Sequence, residues 1–331
     1  MTSPSLTDIL PDAPAIPGLG CRPLRLPDDL PALAAVRAAI GPADGVDPRS
    51  VAEKVPTLAD LQRTLVASEG FDPMRDVLAI TVDGRIIGYS AAEWWTETDG
   101  TWLYLTMGRL MPEWRRRGIG TAMLHWAEAH CRELAATHPT PGKAFYGANA
   151  SETECDATAL LLNEGYYVAF TLLEMGLDDL SRLRDVQLPP GFVTRPVPPA
   201  DLPALFESMN GCYADHEFGE VVHYADWAKK QDDLRTWHVA WDEHTGRIAG
   251  QVQAMLQDGR PVLEEVSVRA PYRRRGLARA LIARGLDALR EQGVQSVRLC
   301  TLLENPQQAW RVYESVGFHV LKRFLRYRKK M

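Results

Sequence analysis

The chain repeats itself, and this constrains its fold more than any other feature. RPLRLPDDLPAL (Arg22–Leu33) returns as RPVPPADLPAL (Arg195–Leu205), and WRRRGIGTAML (Trp114–Leu124) as YRRRGLARALI (Tyr272–Ile282). ATALLLNEGY (Ala157–Tyr166) returns as AWRVYESVGF (Ala309–Phe318). The order is kept while the separation shrinks, from 172 residues between Asp29 and Asp201 to 158 between Gly118 and Gly276 and 152 between Gly165 and Gly317. One arginine-glycine match arises easily by chance, but three in one order with drifting offsets point to a duplication with loop trimming. A length of 331 residues suits two units of about 150 residues each. The predicted organisation is a Pro-rich, poorly ordered lead-in over 1–20, a first copy over 21–176, a linker over 177–190 and a second copy over 191–331. The linker is polar and runs into Pro189-Pro190-Gly191, where apolar periodicity lapses.

Within the first copy, Val77–Val82 and Ile86–Ala92 flank Asp83-Gly84, a strong hairpin signal. In the second, Trp237–Trp241 and Ile248–Leu256 flank a longer turn at Thr245-Gly246, and Pro261–Val268 follows Asp258-Gly259. After the arginines, Ile119, Ala122, Met123, Trp126 and His130 share one helical face, as do Leu277, Leu281, Ile282, Gly285, Leu286 and Leu289. Gly293 stops the second of these helices. Strands alternating with helices predict an α/β unit of mixed α and β layers around a mixed sheet in each copy.

Composition matters here for what it excludes. Hydrophobic residues at 46% and charged residues at 24% are ordinary for a globular chain. No run of 18 apolar residues occurs, and the start lacks a basic stretch followed by an apolar core, so a cytoplasmic protein without membrane contact is expected. Cys21, Cys131, Cys155, Cys212 and Cys300 form no CxxC pair and read as reduced thiols; there is no HExxH, and no metal is expected. A net charge of −6 argues against nucleic acid as partner, and the terminal KRFLRYRKKM reads as a closing strand with a solvated basic end. The arginine clusters therefore call for a smaller anion.

RRRGIG (Arg115–Gly120) and RRRGLA (Arg273–Ala278) each lie where a strand ends and a helix begins. There the free N–H groups and the positive end of the helix dipole point outward. Glycine lets the backbone approach a ligand closely, and neighbouring arginines add charged hydrogen bonds, so each loop is a candidate pyrophosphate cradle. The spacing differs from GxxxxGK[ST], and no GxGxxG follows a strand.

Both loops match the pattern [Q/R]-x-x-G-x-[G/A], and through them the chain resembles the GNAT superfamily of N-acetyltransferases over nearly its whole length, twice. The second copy adds LEEVSV before the cradle and ENPQQAWRVYESVGF (Glu304–Phe318) after it. The resemblance implies two tandem folds, each a mostly antiparallel twisted sheet flanked by helices. It implies acetyl-coenzyme A as co-substrate, without a metal. The pyrophosphate would rest on Arg273, Arg274, Arg275, Gly276, Leu277 and Ala278, and the pantetheine along the strand carrying Val266 and Val268. In the first copy the corresponding positions are Leu110, Arg115, Arg116, Arg117, Gly118, Ile119 and Gly120. Asn305 either caps the helix that follows or contacts the cofactor.

Attack of an amine on a thioester needs a neutral amine, a polarised carbonyl and a proton for the thiolate. Glu264 and Glu265 stand on the strand beside the expected thioester, on opposite faces by strict alternation. Glu264, sharing a face with Val266 and Val268, is preferred as the base. A backbone N–H near Val268 is the candidate carbonyl donor. Tyr313 occupies the position where the family commonly places a general-acid tyrosine. The first copy has Leu161 there, no carboxylate in TWLYLTMG (Thr101–Gly108), and only Glu93 on the preceding strand. Catalysis is accordingly expected in the second copy alone, as in double-GNAT proteins with unequal halves. The expected reaction is acetyl transfer to a primary amine, with a small molecule as partner. A non-catalytic acyl-coenzyme A sensor and an acetyltransferase of protein N-termini are the competing readings; Cys300 stands where the latter enzymes often carry glutamate. Acceptor contacts are expected within Ala43–Glu69 and Gly211–Lys230, where Asp215, His216, Glu217, Glu220 and His223 could meet a polar amine.

Overall fold

The computed structural model describes residues 6–10, 12–68, 70–138, 143–183, 186–213 and 222–331. Its contacts define two units, one of Met1–Pro48, Glu53–Phe170 and Phe324–Met331, the other of Arg49–Ala52 and Thr171–Arg323.

The first unit runs α1 (Leu6–Ile9), β1 (Leu19–Pro23), α2 (Leu30–Ala43), α3 (Leu58–Thr64), α4 (Pro73–Asp76), β2 (Val77–Val82), β3 (Arg85–Thr96), β4 (Trp102–Leu110), α5 (Ile119–Thr137), β5 (Ala144–Ser151), α6 (Cys155–Asn163) and the start of β6 (Tyr167–Leu177). Neighbouring strands from β1 to β4 are antiparallel, and β4 and β5 run parallel. Asp83 (φ 48°) and Gly84 (φ 79°) are both left-handed, which gives the β2–β3 turn the twist that a two-residue hairpin requires. Leu33, Val36 and Ile40 of α2 pack on one face of this sheet, and Ile119, Ala122 and Met123 of α5 belong to another apolar cluster with Leu78, Ile80 and Ile87. The buried stripe of α5 continues through Ala127, Cys131 and Leu134 rather than Trp126 and His130, which stack on each other with ring centroids 5.3 Å apart. Leu10 is fully buried with Leu6, Ile9, Ala13 and Ile16 packed near it, so the Pro-rich lead-in carries core residues.

The second unit continues with β7 (Phe192–Thr194), α7 (Leu202–Tyr213), α8 (Tyr224–Ala228), β8 (Trp237–Asp242), β9 (Ile248–Gln257), β10 (Arg260–Val268), α9 (Leu277–Glu291), β11 (Val297–Leu302), α10 (Ala309–Ser315) and the start of β12 (His319–Lys330). Strands β7 to β10 are antiparallel, and β10 and β11 parallel. The predicted apolar face of α9 is buried throughout, and each fully buried Leu or Ile there contributes about 1.5–3 kcal/mol. Gly293 (φ 84°) ends that helix, with its N–H donated to Arg290 O.

Along the chain, repeats and packed units do not coincide. The sheet of the first unit is completed by Phe324–Lys330 of β12, antiparallel to β5, and that of the second by Leu172–Leu177 of β6, antiparallel to β11. Each sheet thus has the same strand order, closed by a strand from the other half of the sequence.

Candidate active site

In both units the single parallel pairing stops early. Strands β4 and β5 are paired only from Trp102 to Leu105, and β10 meets β11 only at Val262. Beyond those points β4 and β10 run on unpaired on that side, which opens a cleft with backbone hydrogen-bonding groups along one wall. In the first unit the cleft is a cavity of about 470 Å³ lined by Thr106–Leu110, Ala148, Asn149, Leu160, Leu161 and the cradle residues Arg115, Arg116, Gly118 and Gly120.

The two cradles share one backbone conformation. Arg116 and Arg274 have φ of 60° and 63°, and Gly118 and Gly276, which precede α5 and α9, have φ of 83° and 82°. A side chain at either glycine would be strained, and its absence lets the following amides face outward. Among the described residues, no backbone N–H from 116 to 121 or from 274 to 279 donates to a backbone carbonyl. Ile119 and Leu277 are buried to within 1% and anchor their helices, so only their backbone can reach a ligand. In each copy the first arginine braces the loop: Arg115 Nε donates to Leu110 O at 3.2 Å and Arg273 Nε to Val268 O at 2.9 Å.

The charges differ. Arg115 forms a bidentate pair with Asp44 (2.5 and 2.9 Å) and Arg116 pairs with Asp156 at 3.0 Å. Arg273, Arg274 and Arg275 have no carboxylate partner among the described residues, and the first cradle is therefore partly neutralised while the second keeps its charge. Arg117 and Arg275 lie over the rings of Trp114 and Tyr272, at 5.0 and 5.9 Å. Arg115→Ala should leave the 8%-exposed Asp44 carboxylate without its partner and cost about 2–3 kcal/mol. Thermal unfolding would show this as a lowered midpoint that the double variant Asp44→Ala/Arg115→Ala largely recovers.

Strand β10 carries a feature that β4 lacks. Its register against β9 runs Leu263 to Ala254, then Glu265 to Gln253, so Glu264 is the extra residue of a bulge. The bulge breaks strict alternation at Glu264, which lies exposed on the kink. Val266 and Val268 pack with the apolar core that includes α9. Glu265 takes the other face, under α7, where Tyr213 donates its hydroxyl to Oε2 at 2.9 Å. Glu265 Oε1 is buried with no hydrogen-bond partner among the described residues. Burial pushes the Glu265 carboxyl up to about 7, with Glu264 adding to the rise and Ser267 and Tyr213 opposing it.

Tyr313 is 6% exposed in the core of the second unit, its ring edge-on to Phe318 at 6.0 Å. Burial first, and the Glu265 charge second, raise its phenol well above the usual value, which keeps it protonated. Glu265 also acts on Tyr213, so the structure groups one carboxylate and two phenols.

The acetyltransferase (GNAT) family pattern matches this chain twice, over residues 52–140 and 202–318. The chain belongs to the GNAT family of acetyltransferases. This GNAT protein is 28% identical over 241 residues to the mycothiol acetyltransferase of Thermobifida fusca (strain YX), spanning 63% of the chain and 69% of that relative. Its fold is that of a GCN5-related N-acetyltransferase from Sphaerobacter thermophilus (TM-score 0.76, 23% identity, 94% and 95% of the two chains covered). A tandem GNAT protein from the clavulanic acid biosynthesis pathway is also similar (TM-score 0.66, 19% identity, 94% and 98% covered). No helix among the described residues of this GNAT protein is long and apolar enough to cross a membrane.

Other expected residues of the GNAT protein fall as follows. Asn305 does not cap α10, whose N-cap is Gln308; its Oδ1 accepts from Gln307 N at 2.7 Å in the preceding turn. Glu93 is half-buried on β3 opposite Leu105, and Cys300 half-buried opposite Glu174. Leu161 is buried against the first-unit cavity, with no proton to give. His223 precedes α8 as its N-cap, whereas Glu69, Asp215, His216, Glu217 and Glu220 lie outside the described residues. Asp44 and Tyr213 were not legible beforehand, because neither belongs to a local motif.

Proposed function

We propose that this GNAT protein transfers the acetyl group of acetyl-coenzyme A to a primary amine of a small molecule, and that its second half performs the transfer. The observation that carries this reading is the Glu265 carboxylate, with Oε1 unpartnered among the described residues and an affinity for protons near neutrality, and with its charge felt by the protonated phenol of Tyr313. The charged cradle at Arg273–Ala278 and the unpaired edge of β10 are the matching binding groups for a pyrophosphate and an extended pantetheine. Gly276 supports that fit, since a Cβ there would meet only Pro189, at 4.0 Å. The co-substrate supplies the activated acyl thioester.

Glu265 removes a proton from the acceptor ammonium, directly or through water, and so exposes the nitrogen lone pair. The C–N bond forms as the C–S bond breaks, Tyr313 donates its proton to the departing thiolate, and the second proton lost by the acylated nitrogen passes to solvent, which reprotonates Tyr313. Likeness to a mycothiol acetyltransferase supports a small-molecule acceptor. The first half keeps a cradle and a cavity but has Met107 and Leu161 at the positions of Glu265 and Tyr313, and serves as a second coenzyme A site without turnover.

Thiol release from acetyl-coenzyme A, measured across a panel of amines, tests the activity. Arg273→Ala should raise the apparent KM for acetyl-coenzyme A about ten- to a hundredfold, the loss of a charged hydrogen bond. The double variant Asp44→Ala/Arg115→Ala removes both members of the first-half pair and should leave kcat within a few-fold of the parent. Abolished turnover in that folded double variant would remove the division of labour.

A further inference from the structure

We infer that Tyr213 is a positioning residue for the acetyl transfer: by holding Glu265 Oε2 it leaves Oε1 presented to the acceptor amine. This rests on the reading of Glu265 as the base. A glutamate has three rotatable bonds, and a base that must meet one nitrogen gains from being held in a single orientation. The hydroxyl of Tyr213 reaches Oε2 at 2.9 Å from the last turn of α7, while Oε1 is buried and unpartnered among the described residues. The bond uses one oxygen and leaves the other to a ligand.

The duplication provides an internal comparison. Leu202-Pro203-Ala204-Leu205 at the start of α7 aligns with Leu30-Pro31-Ala32-Leu33 at the start of α2, which sets Gly41 opposite Tyr213. Counting back from the cradle glycines sets Met107 opposite Glu265. The half without the carboxylate thus also lacks the tyrosine, and its strand β4 pairs with β3 without a bulge. Tyrosine, glutamate and bulge occur together in one half and are absent together in the other. A tyrosine kept only to cover the sheet with its ring would not need to follow the carboxylate.

Among the described residues, the groups around Glu265 are few. Strand β10 supplies Glu264 and Ser267, β9 places Gln253 opposite, α7 brings Cys212 and Tyr213, and α10 brings Tyr313; Arg269 and Arg273 act on the neighbouring Cys212. Of these, Tyr213 and Ser267 favour the carboxylate form, and burial and Glu264 oppose it. Deleting the Tyr213 hydroxyl therefore moves the Glu265 titration upward.

The experiment is the pH profile of kcat/KM for the full chain, Tyr213→Phe against the parent, with the best amine from the panel. The acidic limb should move up by about half to one pH unit, so that activity at pH 6.5 falls about three- to eightfold and at pH 9 returns to within about twofold. A purely structural role would leave the limb at its parental pH, and that result overturns the inference. Glu265→Gln on the same axes separates the two levels of the argument. If it removes the limb while Tyr213→Phe leaves it in place, the base stands and the role of Tyr213 falls. If the limb persists in Glu265→Gln, the base assignment falls and the inference with it. Should Tyr213→Phe lose activity at every pH, infrared titration of the Glu265 carboxyl in the folded variant decides without turnover: an upward shift supports the role and an unmoved midpoint overturns it.

Discussion

Replacing Tyr313 by phenylalanine is expected to lower kcat about 10²–10⁴-fold while leaving coenzyme A affinity close to that of the parent. The ring is in the core of the second unit, against Phe318, and phenylalanine preserves that packing, so the loss falls on the proton alone. Burial and the nearby Glu265 hold the phenol protonated far above neutral pH, which suits a group that donates to a departing thiolate. Steady-state kinetics beside calorimetric binding of coenzyme A separate the two effects. Unchanged turnover would return Tyr313 to a packing role, and a thiolate leaving group that requires no acid would then be indicated.

Glu265→Gln carries the other large effect, a fall in kcat of about 10²–10⁴-fold at pH 8. The sign of its pH dependence follows from the raised proton affinity. A carboxyl near 7 is mostly protonated, and so inactive as a base, at pH 6, and is ionised above pH 8. The parental rate should climb through that window, and the glutamine variant should show no such climb. Glu264→Gln is the control, because Glu264 is exposed on the bulge and its loss should change the rate by no more than a few-fold. A Glu264→Gln variant as impaired as Glu265→Gln would make the bulge, rather than one carboxylate, the element on which catalysis depends.

On the proposed reading, the two halves separate binding from chemistry within one fold. Both retain the left-handed glycine, the outward amides and the arginine brace, all of which depend on backbone conformation at the start of a helix. Only the second retains the carboxylate and the phenol, and none of its three cradle arginines has an acidic partner among the described residues. In the first half, Asp44 and Asp156 take up the arginine charge. Anion affinity there is expected to be weaker, since part of the positive field is spent within the protein.

Much of this was legible in the residues themselves. The Asp83-Gly84 hairpin, the apolar stripe of α9 and the glycine turn of both arginine loops follow from short-range spacing, because glycine conformation and helical or strand periodicity are local properties; the duplication follows from aligning the repeats, and the leucine at 161 in place of a tyrosine from that alignment and the family resemblance. Tertiary structure alone decided the rest. Which strand closes each sheet depends on pairing between segments far apart in sequence, Phe324–Lys330 with β5 and Leu172–Leu177 with β6's partner β11, and no local pattern specifies such a register. The Glu264 bulge is set by how β10 and β9 pair: Leu263, Val266 and Val268 reach one core, Glu265 stays on the opposite face, and Glu264 is the extra residue on the kink. Asp44 with Arg115 and Tyr213 with Glu265 are joined across 71 and 52 residues, and only folding brings their polar atoms within hydrogen-bond distance.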